Sequence, residues 1–444
     1  VGQEVQTMKI KTKKSLSVLI IAVLTLVAGS LPLMSNTLYV SSSTGKNANP
    51  GSKELPFKEI DKAISAAEPG DTINVAGGTY SGTFDIGFID CNKPVKLYGS
   101  FSPDFSTRDI KKFPSLFQPN NASGAKSRKA LIQFTGDVDG LVVDGFVFDM
   151  GMRNCYSDKD GKPNGVETGM LLLPPEKATG QIPTVTEPCL SIPSAAMGGD
   201  IEIRNNVFLN SASFAVQAGL RKGSIKIINN VFVANRMAAV EIYGTCPSTG
   251  GPKTLSLCGE VEIAYNTILF SWTRTKELLD MGYGIRVMTK ASYNIHHNII
   301  GGNALAGVDH TRFNKNEWVK MDNNIFFANK AGDLEYSPAS NTKLNLVVDQ
   351  FGDLELSSCT ENKSMIPKTL AIDKAYLEGF LNARYSEQAD YNPNSPANLF
   401  REAMGMNKQG KLTSQVTMFA NRYPWKKAIE LFESVPGYGA QAFK

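Results

Sequence analysis

Five short stretches of this chain end an apolar strand on the same residue, and that recurrence limits the fold more than any other feature. They are IRNNVF from Ile203, IINNVF from Ile227, IAYNTI from Ile263, IHHNII from Ile295 and MDNNIF from Met321. Aligned on the last Asn they give one column of Asn206, Asn230, Asn266, Asn298 and Asn324, at intervals of 24, 36, 32 and 26 residues. Periods of this length belong to stacked supersecondary units. The unequal intervals place insertions on the stack, where such proteins build binding surfaces.

A repeated Asn at a bend takes a left-handed backbone at modest cost, and stacked Asn side chains exchange amide hydrogen bonds at about 4.8 Å spacing. Each rung is therefore expected to be a bent coil of short strands with the Asn at its bend. Ile203, Ile227, Ile263 and Ile295 precede the column, and Val207, Val231, Ile299 and Ile325 follow it, as expected inward positions. Between Gly82 and the first rung, LIQFTG from Leu131 and LVVDGFVF from Leu141 alternate like strands, with Gly145 expected in the Asn position.

The chain begins with features of export. Residues 1–7 precede Met8; then come Lys9, Lys11, Lys13 and Lys14, an apolar run from Leu16 to Ala28, and the small residues Gly29 and Ser30. This is the pattern of a secretory signal over residues 1–35. The run is shorter than the roughly 20 residues of a membrane span, so no span is expected after cleavage. Without these residues the net charge falls from +4 to near zero, which gives no basis for a nucleic-acid partner. The six Cys fit an oxidising compartment. Two long insertions are bracketed by Cys155 with Cys189 and by Cys246 with Cys258, and disulfides are expected there; Cys91 and Cys359 are left over.

The stretch from Leu38 to Gly82 carries Phe57, Ile60, Ile64 and Ala67 at helical spacing, begins its helix after Pro56 and stops it at Pro69 and Gly70. Together with the GDTINVAGGTYSG that follows from Gly70, it resembles the opening segment of secreted proteins of the pectate-lyase-like superfamily. That resemblance reaches, through the rungs, to about Leu346. It implies an all-β chain, a right-handed parallel β-helix over 36–360 with a capping helix at its start. Residues 361–444 are expected to be a partly helical cap or tail, with TLAIDKAYLEGFLN and WKKAIELFESV helical around the loop YNPNSPANLF.

In such a coil, the strand after the Asn bend and a short turn carries the ligand-binding face. Here those strands are FAVQAG, AAVEIYG, YGIRVMT, AGVDHTRF and GDLEYS, with Val216, Val240, Ile285, Val308 and Leu334 inward. Alternation turns Gln217, Glu241, Arg286, Asp309 and Glu335 outward, one per coil, with Tyr243, Met288 and Thr311 two residues further on. A polar ladder of this kind matches the scale of a polysaccharide, an acidic glycan above all. Uronate cleavage needs a cation against the carboxylate and a base for the ring proton; Arg286 fits the first role and His310, Lys290 or Tyr243 the second. Hydrolysis instead needs two carboxylates, and Glu241 and Asp309, two coils apart, would stand about 9.6 Å from each other, near the inverting range. An epimerase of the same fold is a third form of this chemistry. The same row also reads as cross-strand ion pairs in a non-catalytic surface or adhesion protein, acting as a monomer.

Three further features stand out. Asp158, Asp160 and Glu167 in SDKDGKPNGVE resemble part of a calcium loop, equally an Asx-rich turn. Trp272, in the insertion SWTRTKELLDMGY, suits stacking on a sugar ring or packing against the coils. His296 and His297 are adjacent on a rung, where neighbours on a strand point apart, so a hydrogen-bonded turn is expected rather than a metal pair.

Overall fold

The computed structural model describes residues 2, 35–81, 89–118, 130–150, 188–193, 199–211, 213–244, 259–272, 281–288, 290–311, 318–338, 342–384, 392–409 and 422–443. The secretory segment, Cys155, Cys246, Cys258 and the Asp158, Asp160 and Glu167 loop lie outside them. Among the described residues no helix is long and apolar enough to cross a membrane.

The chain is a right-handed parallel β-helix. Three sheets of nine strands each run up the stack, and successive members of a sheet come from successive coils. One coil is Asp200–Arg204 in the first sheet, Val207–Leu209 in the second and Phe214–Gly219 in the third. The next coil repeats it in strict register as Ser224–Ile228, Val231–Val233 and Ala238–Tyr243. Right-handed crossovers are the rule for parallel strands in one sheet. Among the described sheet strands, Leu344–Leu346 returns antiparallel against Gly332–Tyr336 and closes one edge of the third sheet.

The Asn column is a continuous ladder. Nδ2 of Asn206 donates to Oδ1 of Asn230 at 3.1 Å, and the same bond joins Asn230 to Asn266, Asn266 to Asn298 and Asn298 to Asn324, each at 3.0 Å. The second Nδ2 hydrogen goes to a main-chain carbonyl of the neighbouring coil, as from Asn230 to Ile203 at 2.9 Å. A sixth rung follows, for Asn324 donates in the same way to Asn362, absent from the sequence column. At the other end the Asn206 Oδ1 accepts from the main-chain N–H of Phe146 at 2.9 Å.

The left-handed backbone belongs to the residue before each ladder Asn, a correction to the expected bend. Asn205, Asn229, Tyr265, His297 and Asn323 have φ between 53° and 60°. Gly145, with φ 83°, stands in their column and not in the ladder. A second bend repeats the device: Asn210, Ala234, Phe270, Gly302 and Ala328 are left-handed. Each precedes a buried or half-buried Ser211, Asn235, Ser271, Asn303 or Asn329, and Asn303 donates to Asn329 at 2.8 Å.

Two apolar cores lie on either side of the second sheet. The interior core holds Ile203, Ile227, Ile263 and Ile295 as expected, with a column of Phe117, Phe148, Phe208 and Phe232 whose ring centroids are 4.7 to 5.1 Å apart. Val207, Val231, Ile299 and Ile325 point the other way, into a second cluster outside the coil. A strand buried on both faces reads as a continuous apolar run, so three-residue strands such as VFL and VFV hide which residue is inward. The C-terminal segment covers that outer face instead of closing an end of the stack. Leu377, Phe380, Phe400, Ile429 and Phe432 pack there, and Asn210 and Tyr423 exchange side-chain to main-chain bonds at 2.9 Å across the two.

At the start of the stack, helix α1 (Ile60–Ala66) turns Ile60, Ala63 and Ile64 onto Leu38, Val40, Ile73 and Val75, removing apolar surface from the open first coil. Near the C-terminus α2 (Lys374–Arg384), α3 (Pro396–Ala403) and α4 (Trp425–Ile429) follow. The expected loop YNPNSPANLF therefore ends in a helix: Ser395 caps it by accepting from the Asn398 N–H, and Pro396 takes the first turn. Directly after Cys189, Leu190–Ile192 joins the third sheet.

Candidate functional site

The row drawn from the sequence forms. Gln217 pairs with Glu241, Glu241 with Arg286, Arg286 with Asp309 and Asp309 with Glu335, one residue per coil on adjacent strands of the third sheet. Val216, Val240, Ile285, Val308 and Leu334 fill the interior beside them. The row's own face is also covered. The Arg286 side chain is 12% exposed, Glu241 9%, and Asp309 1%, while Gln217 is half-buried.

Burial of charge in a row demands pairing, and the pairing is thorough. Arg286 donates from Nη1 to Glu241 Oε2 and from Nε to Asp309 Oδ2 at 2.9 Å. Gln217 donates to Glu241 Oε1 at 2.8 Å, and the Thr311 hydroxyl donates to Asp309 Oδ1 at 2.6 Å. Two members were not legible in the sequence. Tyr283 places its ring 5.4 Å below the Arg286 guanidinium and donates its hydroxyl to Glu335. Burial, then the Asp309 charge and the bond to Glu335, hold that phenol far above its ordinary range, so it remains a donor. Lys343 reaches Glu335 at 3.2 Å from the returning segment. The Tyr283 bond to Glu335 spans two coils, and Lys343 arrives through the antiparallel return after Gly332–Tyr336, which no repeat announces.

The other expected members separate. Tyr243 is half-buried two residues beyond Glu241, and Lys290 lies past the end of its strand, half-buried. His310 alternates to the face opposite Asp309, with its ring 5.7 Å from Tyr336, so the strand does not aim it at the row. Trp272 is 3% exposed in the outer core, donates its indole N–H to the Ala234 carbonyl at 3.0 Å and sits 5.7 Å from the Arg236 guanidinium. It is a packing residue with no ring face for a sugar. Cys91, Cys189 and Cys359 are free thiols, Cys189 fully buried, and Cys155, the expected partner of Cys189, lies outside the described residues. His296 and His297 do converge, Nδ1 to Nδ1 at 3.0 Å, because His297 is the left-handed bend residue and no longer alternates as a strand would. Among the described residues no His, Cys, Asp or Glu cluster could hold a metal ion.

Residues 43–140 match a family model. Its description is a protein of unknown function, DUF1565, and the match spans the capped opening and the first coils. No curated protein matches the sequence. Among solved structures, a rhamnogalacturonan lyase is similar at 14% identity and TM-score 0.43, over 84% of this chain and 99% of its own. A pectate lyase is similar at 13% identity and TM-score 0.40, over 87% and 90%. The likeness is one of fold, and the fold assignment rests on the three parallel sheets themselves.

Proposed function

We propose that this protein is exported and binds an acidic polysaccharide laid across the coils of the third sheet, with Arg286 as the residue that meets a uronate carboxylate. The observation that carries this reading is the in-register row from Gln217 to Glu335, which offers one polar side chain per coil along a line. Within the row, Glu241 and Asp309 grip Arg286 from both sides and preorganise it. Both carboxylates are thereby engaged, which favours recognition over use of either as a general base.

A lyase is the second reading. It is favoured by Tyr283, a buried phenol beside the same guanidinium and hydrogen-bonded to a carboxylate, an arrangement able to hold or pass a proton. The test is a panel of pectate, alginate, chondroitin and heparin, with and without calcium. Retention of the protein by at least one polymer is expected, and retention by none overturns the proposal. Release of unsaturated product would move the assignment from binding to cleavage.

A further inference from the structure

A second polar site lies at the bend between the first and second sheets, away from the third-sheet row. There a cleft of about 610 Å³ is lined by Arg108, Arg204, Asn205, Asn229, Tyr265 and Gln441, a volume in the range of small-molecule sites. Its floor is the left-handed column itself, whose side chains project from the stack one per coil.

Asp144, 1% exposed, anchors the cleft. It takes Arg108 Nη2 at 2.7 Å, Arg204 Nε at 2.8 Å and Asn205 Nδ2 at 3.0 Å. Glu202 takes the Arg204 Nη1 at 2.9 Å. The guanidinium is thus fixed from two directions, while its Nη2 makes no hydrogen bond among the described residues and the side chain is 39% exposed. Tyr265 lies on His297 with ring centroids 4.9 Å apart and planes 19° apart. His297 belongs to the following coil and Asn229 to the preceding one, so the opposite ring face is turned toward Asn229 and the cleft. The C-terminal segment forms the wall, where the Gln441 N–H donates to Asn229 Oδ1 at 2.6 Å.

We infer that this cleft is an oligosaccharide subsite. A sugar ring would lie against Tyr265 through its apolar C–H face, with a hydroxyl accepting from Arg204 Nη2, while the Asn229 amide, which donates to Asn205 Oδ1 at 2.7 Å and to the Ala442 carbonyl at 3.3 Å, holds the shape of the floor. Both guanidiniums are held by carboxylates, and recognition in the cleft rests on hydroxyls and ring shape. The inference stands independently of the third-sheet reading.

Oligosaccharides cut from homogalacturonan, alginate, xylan, arabinan, mannan and chitin, immobilised side by side, provide the test. The full chain is compared with Tyr265→Asn and with a variant combining Glu241→Gln, Arg286→Gln and Asp309→Asn. Tyr265→Asn installs the residue that the same bend carries at Asn205, Asn229 and Asn323, so the backbone is preserved. At least one glycan should be held by the parent and by the combined variant, and held about tenfold or more weakly by Tyr265→Asn. Equal retention of every bound glycan by Tyr265→Asn, or retention of none by the parent, overturns the subsite. Loss confined to the combined variant also overturns it and leaves the third-sheet site standing.

Discussion

Arg286 donates from Nε to the Oδ2 of Asp309 at 2.9 Å, in a place where the carboxylate is almost sealed from solvent. The same guanidinium is claimed by Glu241 from the preceding coil. Removing it leaves two buried carboxylates facing each other, the costly way to break an ion pair. Arg286→Ala should lower unfolding stability by about 3–5 kcal/mol in denaturant titration. Combining Glu241→Gln, Arg286→Gln and Asp309→Asn should recover most of that loss, because neutral amides bridge the same distances. Equal stability of Arg286→Ala and the parent would mean that the pairs do not form.

The ladder makes a separate prediction. Asn230 accepts at Oδ1 from Asn206 and donates through Nδ2 to Asn266 and to the Ile203 carbonyl. Asn230→Leu orphans a partner on each side, at about 1–3 kcal/mol for each group left unsatisfied. Melting indistinguishable from the parent would contradict the ladder.

Alkaline pH should weaken the fold through a thiol. Burial pushes Cys91 up to about 11, opposed by a smaller main-chain contribution from Lys93. A group whose proton is held more tightly in the folded chain stabilises fully below its unfolded value, near 9, and that contribution disappears as pH rises through about 11. The difference is worth about 2–3 kcal/mol. Unfolding free energies at pH 8 and pH 11 should therefore differ less in Cys91→Ala than in the parent; identical differences would refute the assignment.

The tail on the second sheet is held by packing. Phe400 is fully buried, its ring 5.6 Å from Phe327 and edge-on to it. Phe400→Ala should cost about 3–5 kcal/mol and should raise hydrogen exchange in Ile325–Phe327 and Ile299–Gly301, the strands under the tail. Unchanged protection there would place the tail elsewhere.

The architecture was legible because an Asn that must bond up and down the stack cannot be replaced by chance in five coils. The interior Ile residues and the capping helix with Ile60 and Ile64 were legible for the same reason, a period tied to one buried face; the helix starts at Ile60, however, not after Pro56, and Phe57 is buried from a bridge to Val40. Legibility failed where both faces are buried. Val207 and Phe208 look alike in sequence, and only the tail, far along the chain, makes Val207 an outer residue. The second bend was missed because its column mixes Ser and Asn, and its left-handed residue is Ala or Phe at three of the five positions.

The third-sheet row was placed correctly by alternation, yet alternation says nothing of what covers a face. Burial of Asp309 and the reach of Tyr283 to Glu335 depend on other coils, and Lys343 arrives on the segment that turns back against Gly332–Tyr336. The Arg108, Asp144 and Arg204 cluster was equally invisible, since Arg108 is brought in by a loop distant from both partners.

Recognition of an acidic glycan by the Arg286 row is open to a direct test. Its most direct measurement is the affinity of the combined Glu241→Gln, Arg286→Gln and Asp309→Asn variant, beside the parent, for whichever uronate polymer the parent retains. The account predicts a variant that unfolds within a few degrees of the parent but binds at least about tenfold more weakly, the loss of one charge-assisted contact. A variant that binds as tightly as the parent would contradict it.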